Sequence, residues 1–179
     1  MKEIISKIFM LLFANKKEMS INTEAKKEVD KPKKTAGDIV AEKSTFTALT
    51  VNDVITSSGR YPDRAKSPHL TEDVKKNIEE LLKRVNPLLK ELGIEKPSLS
   101  SGFRPPEANA GVANAGKRSA HMSGEALDLF MIKGKEFDID EKLLEKHNLY
   151  QEKSAYTKGK HSSWIHLQTR KAGKRHFIP

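Results

Sequence analysis

Apolar residues recur at helical spacing over one long stretch: Val74, Ile78, Leu81, Leu82, Val85, Leu88, Leu89 and Leu92. Steps of three and four residues place them on a single stripe of a helix, which predicts a core helix rather than a strand. Thr71 offers a capping hydroxyl before the run, Glu72 and Asp73 put negative charge at the positive end of the helix dipole, and Gly93 stops it. Pro87 lies inside the stripe and, lacking an N–H, predicts a kink. Further on the pattern shortens. Pro105-Pro106 can open a second helix through Ala110, loosened by Gly111 and Gly116, and Asp140 can cap a third that carries Leu143 and Leu144 and ends at Asn148. Three β-type runs, 98–103, Ala126–Ile132 and Trp164–Thr169, alternate with these helices. The elements together predict a small α+β domain.

The front of the chain does not share this pattern. Residues 15–43 are rich in Lys and Glu, contain Pro32 and Gly37 and lack aromatics, so they read as a charged linker. Residues 1–14 are mostly apolar from Ile4 to Ala14 but too short to span a bilayer. They read as a weak signal peptide or an amphipathic helix that touches a membrane, with Glu3 and the lack of a small-x-small pair counting against cleavage. The expected division is therefore 1–14, 15–43, a folded domain over 44–170, and a basic tail over 171–179. Export, membrane contact or release at lysis is favoured over a purely cytoplasmic life.

The candidate chemistry sits in Ser119-Ala120-His121-Met122-Ser123-Gly124-Glu125-Ala126-Leu127-Asp128 and in Trp164-Ile165-His166-Leu167. Strand side chains alternate faces, so Asp128 and His166 can meet on one side of a sheet while their apolar neighbours face the other. An Asp in an apolar strand is costly to bury unless it is paired or bound to metal. Asp128 alone could pair with a Lys or Arg, and His166 alone could be a satisfied core histidine. With His121 the three read as metal ligands. A structural zinc is usually closed by four ligands, often thiolates, whereas a catalytic zinc keeps three and leaves one position open. The chain has no cysteine. Two histidines and an aspartate also suit other divalent ions.

Ser101-Gly102-Phe103-Arg104, then Glu107 and Asn109, then Ser-x-His-x-x-Gly-x-Ala-x-Asp and Trp-Ile-His resemble the zinc peptidases that cut peptidoglycan stem peptides. That family includes D-alanyl-D-alanine carboxypeptidases and dipeptidases and phage L-alanyl-D-glutamate endopeptidases, with the hedgehog signalling domain as a fold relative. The resemblance covers roughly Phe46 to Arg170. It implies a mostly antiparallel sheet packed with helices, and one Zn²⁺ on His121, Asp128 and His166. It also implies that Arg104 steadies the oxyanion and that Ser119 is a supporting hydrogen-bonding residue. Zinc of this kind lowers the pKa of water from about 16 to about 7. Several branches carry an acidic general base three residues before the last histidine, where this chain has Ser163. Other branches use a histidine five residues before it, here His161, which is either that base or an exposed loop residue. Glu152 is a weaker candidate.

Charge widens the choice of function. The net charge is +9 with a pI near 9.6, which suits nucleic acid as well as an anionic cell wall. Lysines are spread along the chain and only 6% of residues are aromatic, so no base-stacking platform stands out and no nucleic-acid partner is expected. The expected enzyme is a monomeric zinc metallopeptidase acting on peptidoglycan peptides. The alternatives are a catalytically impaired relative that only binds the wall and a basic nucleic-acid-binding protein. The tail from Arg170 to His176 could hold the chain near an anionic polymer, or fray in solvent.

Overall fold

The long stripe folds as a helix of 20 residues, Glu72–Glu91, in the computed structural model of the protein, which describes residues 46–57, 62–113 and 115–179. The expected segments 1–14 and 15–43 lie outside the described residues. A shorter helix, α1 (Val51–Thr56), precedes this helix, α2 (Glu72–Glu91). It starts with a capping box in which Asp53 N–H donates to Thr50 and Thr50 N–H donates to Asp53. Asn86 of α2 holds the entry to α1, accepting from Leu49 N–H at 2.9 Å and donating to Leu49 O at 3.0 Å. Thr71 caps α2 as expected, and the helix continues through Pro87. Its stripe is buried from Ile78 through Leu89, while Val74 and Leu92 at its ends are half-buried.

The helices α3 (Pro106–Ala110) and α4 (Glu141–Lys146) stand where the proline pair and Asp140 predict them, and Asn148 takes the left-handed φ of 49°. Five strands form one sheet: β1 (Leu99–Ser101), β2 (Ala126–Ile132), β3 (Tyr150–Glu152), β4 (Ser162–Gln168) and β5 (His176–Phe177), in the order β1-β2-β4-β3-β5. Every pairing is antiparallel except β3 with β5. This is the expected α+β architecture, a mostly antiparallel sheet packed with helices.

The central pair β2–β4 runs without a bulge from Ala126↔Gln168 to Ile132↔Ser162. Its odd-numbered face carries Leu127, Leu129, Ile165 and Leu167, all buried, and these join the α2 stripe in the core. Its even-numbered face is left for chemistry. Strand β5 lies in the basic tail, where Arg175 stacks over the Tyr150 ring at 4.4 Å and His176 Nε2–H donates to Ile139 O at 2.9 Å. Residues 176–177 are therefore part of the sheet.

Two glycines are required by geometry. A Cβ on Gly102 would lie 2.1 Å from Val54 O, and Gly124 holds φ +73° with its would-be Cβ 2.6 Å from Val74 O. Gly124→Ala is expected to lower stability by about 1–3 kcal/mol, because it adds left-handed strain to a contact with α2 backbone. Chemical denaturation checks this, and an unchanged midpoint would contradict it.

Candidate metal centre

Each ligand side chain is aimed by a different piece of backbone. His121 rides a single 3-10 turn, Ala120–Ser123, which begins at Ser119, whose Oγ accepts His121 N–H at 3.4 Å, and which ends at left-handed Gly124. Ser119 thus supports the site by capping the turn that carries His121. The ring is oriented by Gly102 O, which accepts the Nδ1 proton at 2.8 Å and leaves the Nε2 lone pair free to face inward. Gly102 is itself held by its close approach to α1, and Phe103 N–H donates to Val54 O at 2.9 Å. Asp128 and His166 are directly opposed in the β2–β4 register, with His166 Nδ1 2.7 Å from Asp128 Oδ1.

His121 Nε2 lies 3.4 Å from Asp128 Oδ1 and 3.3 Å from His166 Nδ1, and one ligand atom from each of the three residues lies within 4.8 Å of the others. All three residues are buried. Burial favours a neutral Asp128, yet the two imidazoles outweigh it and hold the carboxyl far below the usual carboxylate range. Burial also lowers the His121 pKa, with Asp128 opposing. For His166 burial is overcome by Asp128, and its pKa is raised. Converged lone pairs on two imidazoles and a carboxylate fit a divalent metal, and the donor set suits zinc.

Further groups surround the three ligands. Arg104 is 8% exposed, and its buried Nε has no hydrogen-bond partner. Its backbone N–H donates to His121 O at 3.1 Å, and its charge interacts with Asp128. Buried Arg64 donates to Phe103 O at 2.5 Å, fixing the residue before Arg104. Gln168 Oε1 accepts His166 Nε2–H at 3.2 Å, and its amide passes the chain on to Arg170 O at 2.8 Å. Phe177 of β5 meets the His166 ring edge-on at 5.9 Å. Arg64, Gln168 and Phe177 escape a motif reading. Gln168 carries one usable signal, its same-face position two residues after His166.

The structure separates the proton-transfer candidates. Ser163 has odd parity on β4, so it is buried on the core face, away from the ligands. His161 is exposed in the turn where Gly159 N–H donates to Ser162 O at 2.8 Å, before β4 begins. Five residue steps separate it from His166, a span of about 16 Å along extended chain. Glu152 is placed otherwise. The pairs Tyr150↔Gln168 and Gln151↔Leu167 put it beside His166 on the ligand face. Burial raises its pKa, His166 opposes, and Asp128 adds to the rise.

A buried His-Asp-His set beside a buried guanidinium suits the class of metal-dependent hydrolases. The chain belongs to a particular family of that class, since the family model described as Peptidase M15 matches residues 47–168. Members of this family are metal-dependent, typically with zinc, and membership makes the protein a metallopeptidase. No curated protein matches the chain, and no solved structure does.

Two outcomes follow for metal binding. A metal must displace the proton that Asp128 helps His166 to keep, so affinity should fall as pH drops below the raised His166 pKa, by about tenfold per unit. Competition titration with a chelating indicator reads this, and a pH-independent affinity would contradict it. Gln168→Ala should weaken binding by about 10–100-fold through loss of the His166 orientation. Unchanged affinity in that variant would assign Gln168 to packing alone.

Proposed function

We propose that the protein is a zinc peptidase that hydrolyses peptide bonds in peptidoglycan stem peptides, in the manner of a D-alanyl-D-alanine carboxypeptidase or an endolysin-like endopeptidase. The observation that carries this reading is the convergence of His121 Nε2, Asp128 Oδ1 and His166 Nδ1 beside Arg104. Zinc held there would supply Lewis-acid polarisation of the scissile carbonyl and activation of water. Arg104 gives positive charge where the carbonyl oxygen becomes negative, and its burial strengthens that interaction. Glu152 is the group we assign to the proton: it takes one from the attacking water as the C–O bond forms and returns it to the amine as the C–N bond breaks. Its place beside His166 supports this over His161, the other candidate. Action in the cell envelope, or after lysis, suits a chain of net charge +9 meeting an anionic wall.

One observation favours a second reading. Ser163 stands where several branches of the family carry an acid, and it lies on the core face, which would suit a relative that binds wall peptides without cutting them.

Mass spectrometry of purified muropeptides incubated with zinc-loaded protein separates the two. New fragments are expected from the wild type and none from His166→Ala, and their masses identify the bond. Arg104→Ala should slow turnover by about 10²–10³-fold. Glu152→Gln should slow it by about 10²-fold or more, and His161→Ala by no more than about threefold. The opposite ranking of the last two would return the proton to His161. Zinc binding with intact muropeptides throughout would sink the peptidase reading in favour of wall binding.

A further inference from the structure

A 3-10 turn of four residues closes too few backbone hydrogen bonds to offset the entropy of fixing it, so the turn Ala120–Ser123 that aims His121 needs support from outside. Part of that support comes from beyond the end of β4, from Arg170. Its Nη1 donates to Arg118 O at 2.6 Å, at the residue before the capping Ser119. Its Nη2 donates to Ser123 Oγ at 2.6 Å, at the last residue of the turn. Its Nε donates to Glu125 Oε2 at 2.9 Å, Nη2 reaches the same oxygen, and Ser123 Oγ donates to it as well. One guanidinium thus spans the turn from the residue before its cap to the residue after Gly124. The other histidine is tied to the same place. Gln168, which orients His166, donates its amide to Arg170 O at 2.8 Å, and Thr169 N–H donates to Glu125 O at 2.9 Å. The hydrogen bonds behind His166 therefore meet those around His121 at Arg170. As a bare ion pair the contact would count for little, since the Arg170 and Glu125 side chains are 36% and 26% exposed. What distinguishes it is three nitrogens in one plane meeting three different groups, which a guanidinium supplies and an ammonium, a point charge on its stem, does not. Neither residue is marked by the motif. The family match ends at residue 168, and Glu125 fills an unspecified position of Ser-x-His-x-x-Gly-x-Ala-x-Asp.

We propose that Arg170 is a positioning residue for the metal centre, holding the His121 turn at both ends so that His121 Nε2 stays aimed at Asp128 and His166. It acts through the turn, with its charge balanced by Glu125. Its geometry, more than its charge, is what the centre uses. The proposal rests on the metal centre alone and is independent of which bond the protein cuts.

The test is Co²⁺ binding by the full-length protein at fixed pH. Unlike d¹⁰ zinc, Co²⁺ absorbs visible light, and its band follows the coordination geometry. Wild type, Arg170→Ala, Arg170→Lys and Glu91→Ala are titrated. Glu91, which pairs with Lys146 and His147 at the opposite end of α2 from the Gly124 contact, is the control for lost charge pairs. Arg170→Ala should bind Co²⁺ about tenfold more weakly and with an altered band, the loss expected when an outer support of a ligand is removed. Arg170→Lys keeps the charge and should lose nearly as much, whereas Glu91→Ala should match wild type. Arg170 lines an open cleft of about 810 Å³ together with Ser119, Met122 and Ser123, so a small cation can enter the space left by Arg170→Ala. Ethylguanidinium, below denaturing concentration, should restore the wild-type band, and ethylammonium should not. Wild-type affinity and band in Arg170→Ala would overturn the proposal. So would equal rescue by ethylammonium, which would reduce Arg170 to a counter-charge for Glu125, or an equal loss in Glu91→Ala, which would assign the effect to overall stability. If Arg170→Ala does not fold, Arg170→Lys decides: a loss of about tenfold supports the proposal, and wild-type binding overturns it.

Discussion

The direct opposition of Asp128 and His166 across β2 and β4 is the contact on which the site depends, and it is a consequence of register. The odd-numbered residues of both strands are buried apolar side chains, so a slip of one residue would turn the core toward solvent. The hydrophobic effect thereby fixes the position of two polar groups on the other face. Once fixed, the imidazole stabilises the carboxylate against its burial, and the carboxylate raises the pKa of the imidazole. The pair is buried with little exposure, and His121, Asp128 and His166 together would hold a divalent cation there.

The third ligand is set by a different kind of constraint. Gly102 approaches α1 too closely for any side chain, and its carbonyl then fixes the His121 ring. The helix α1, the Ser-Gly-Phe-Arg strand end and the His121 turn are thus connected through backbone groups and the His121 ring. The same connection delivers Arg104, whose N–H meets His121 O, so the guanidinium and the imidazole share one scaffold. A motif that reads as four separate residues is mechanically a single unit. Glu152 and Phe177 come from strands added outside this unit, on the far side of β4. They reach His166 from that side, Phe177 against its ring and Glu152 through its charge, without belonging to the unit that aims His121 and Arg104.

How much of this was legible in the sequence differs by element. The stripe of α2 is periodic over five turns, and caps at Thr71, Asp140 and Asn148 use local chemistry, so these features survive in one dimension. Strand β2 is an apolar run interrupted only by Asp128, and its bounds follow from the ends of that run. Strands β3 and β5 and helix α1 are too short for any period to show, and they exist because neighbours complete their hydrogen bonds. Whether position 163 faces the ligands could not be told from spacing. Three residues from His166 is a meaningful offset only where the chain turns, and here β4 is extended from Ser162, so parity sends Ser163 to the core.

The metal-ligand types, their alternation within apolar strands and the family they resemble were determined by the sequence itself, because residue identity and period are local properties. The tertiary structure alone decided which groups share the ligand face. Gln168 stands behind His166, Glu152 beside it, and Phe177 over its ring, while His161 is left at a turn about 16 Å along the strand. The reason is that strand pairing is a long-range choice. Residues far apart in the chain become neighbours only when backbone hydrogen bonds and a buried opposite face select one register, and no window of sequence contains that information.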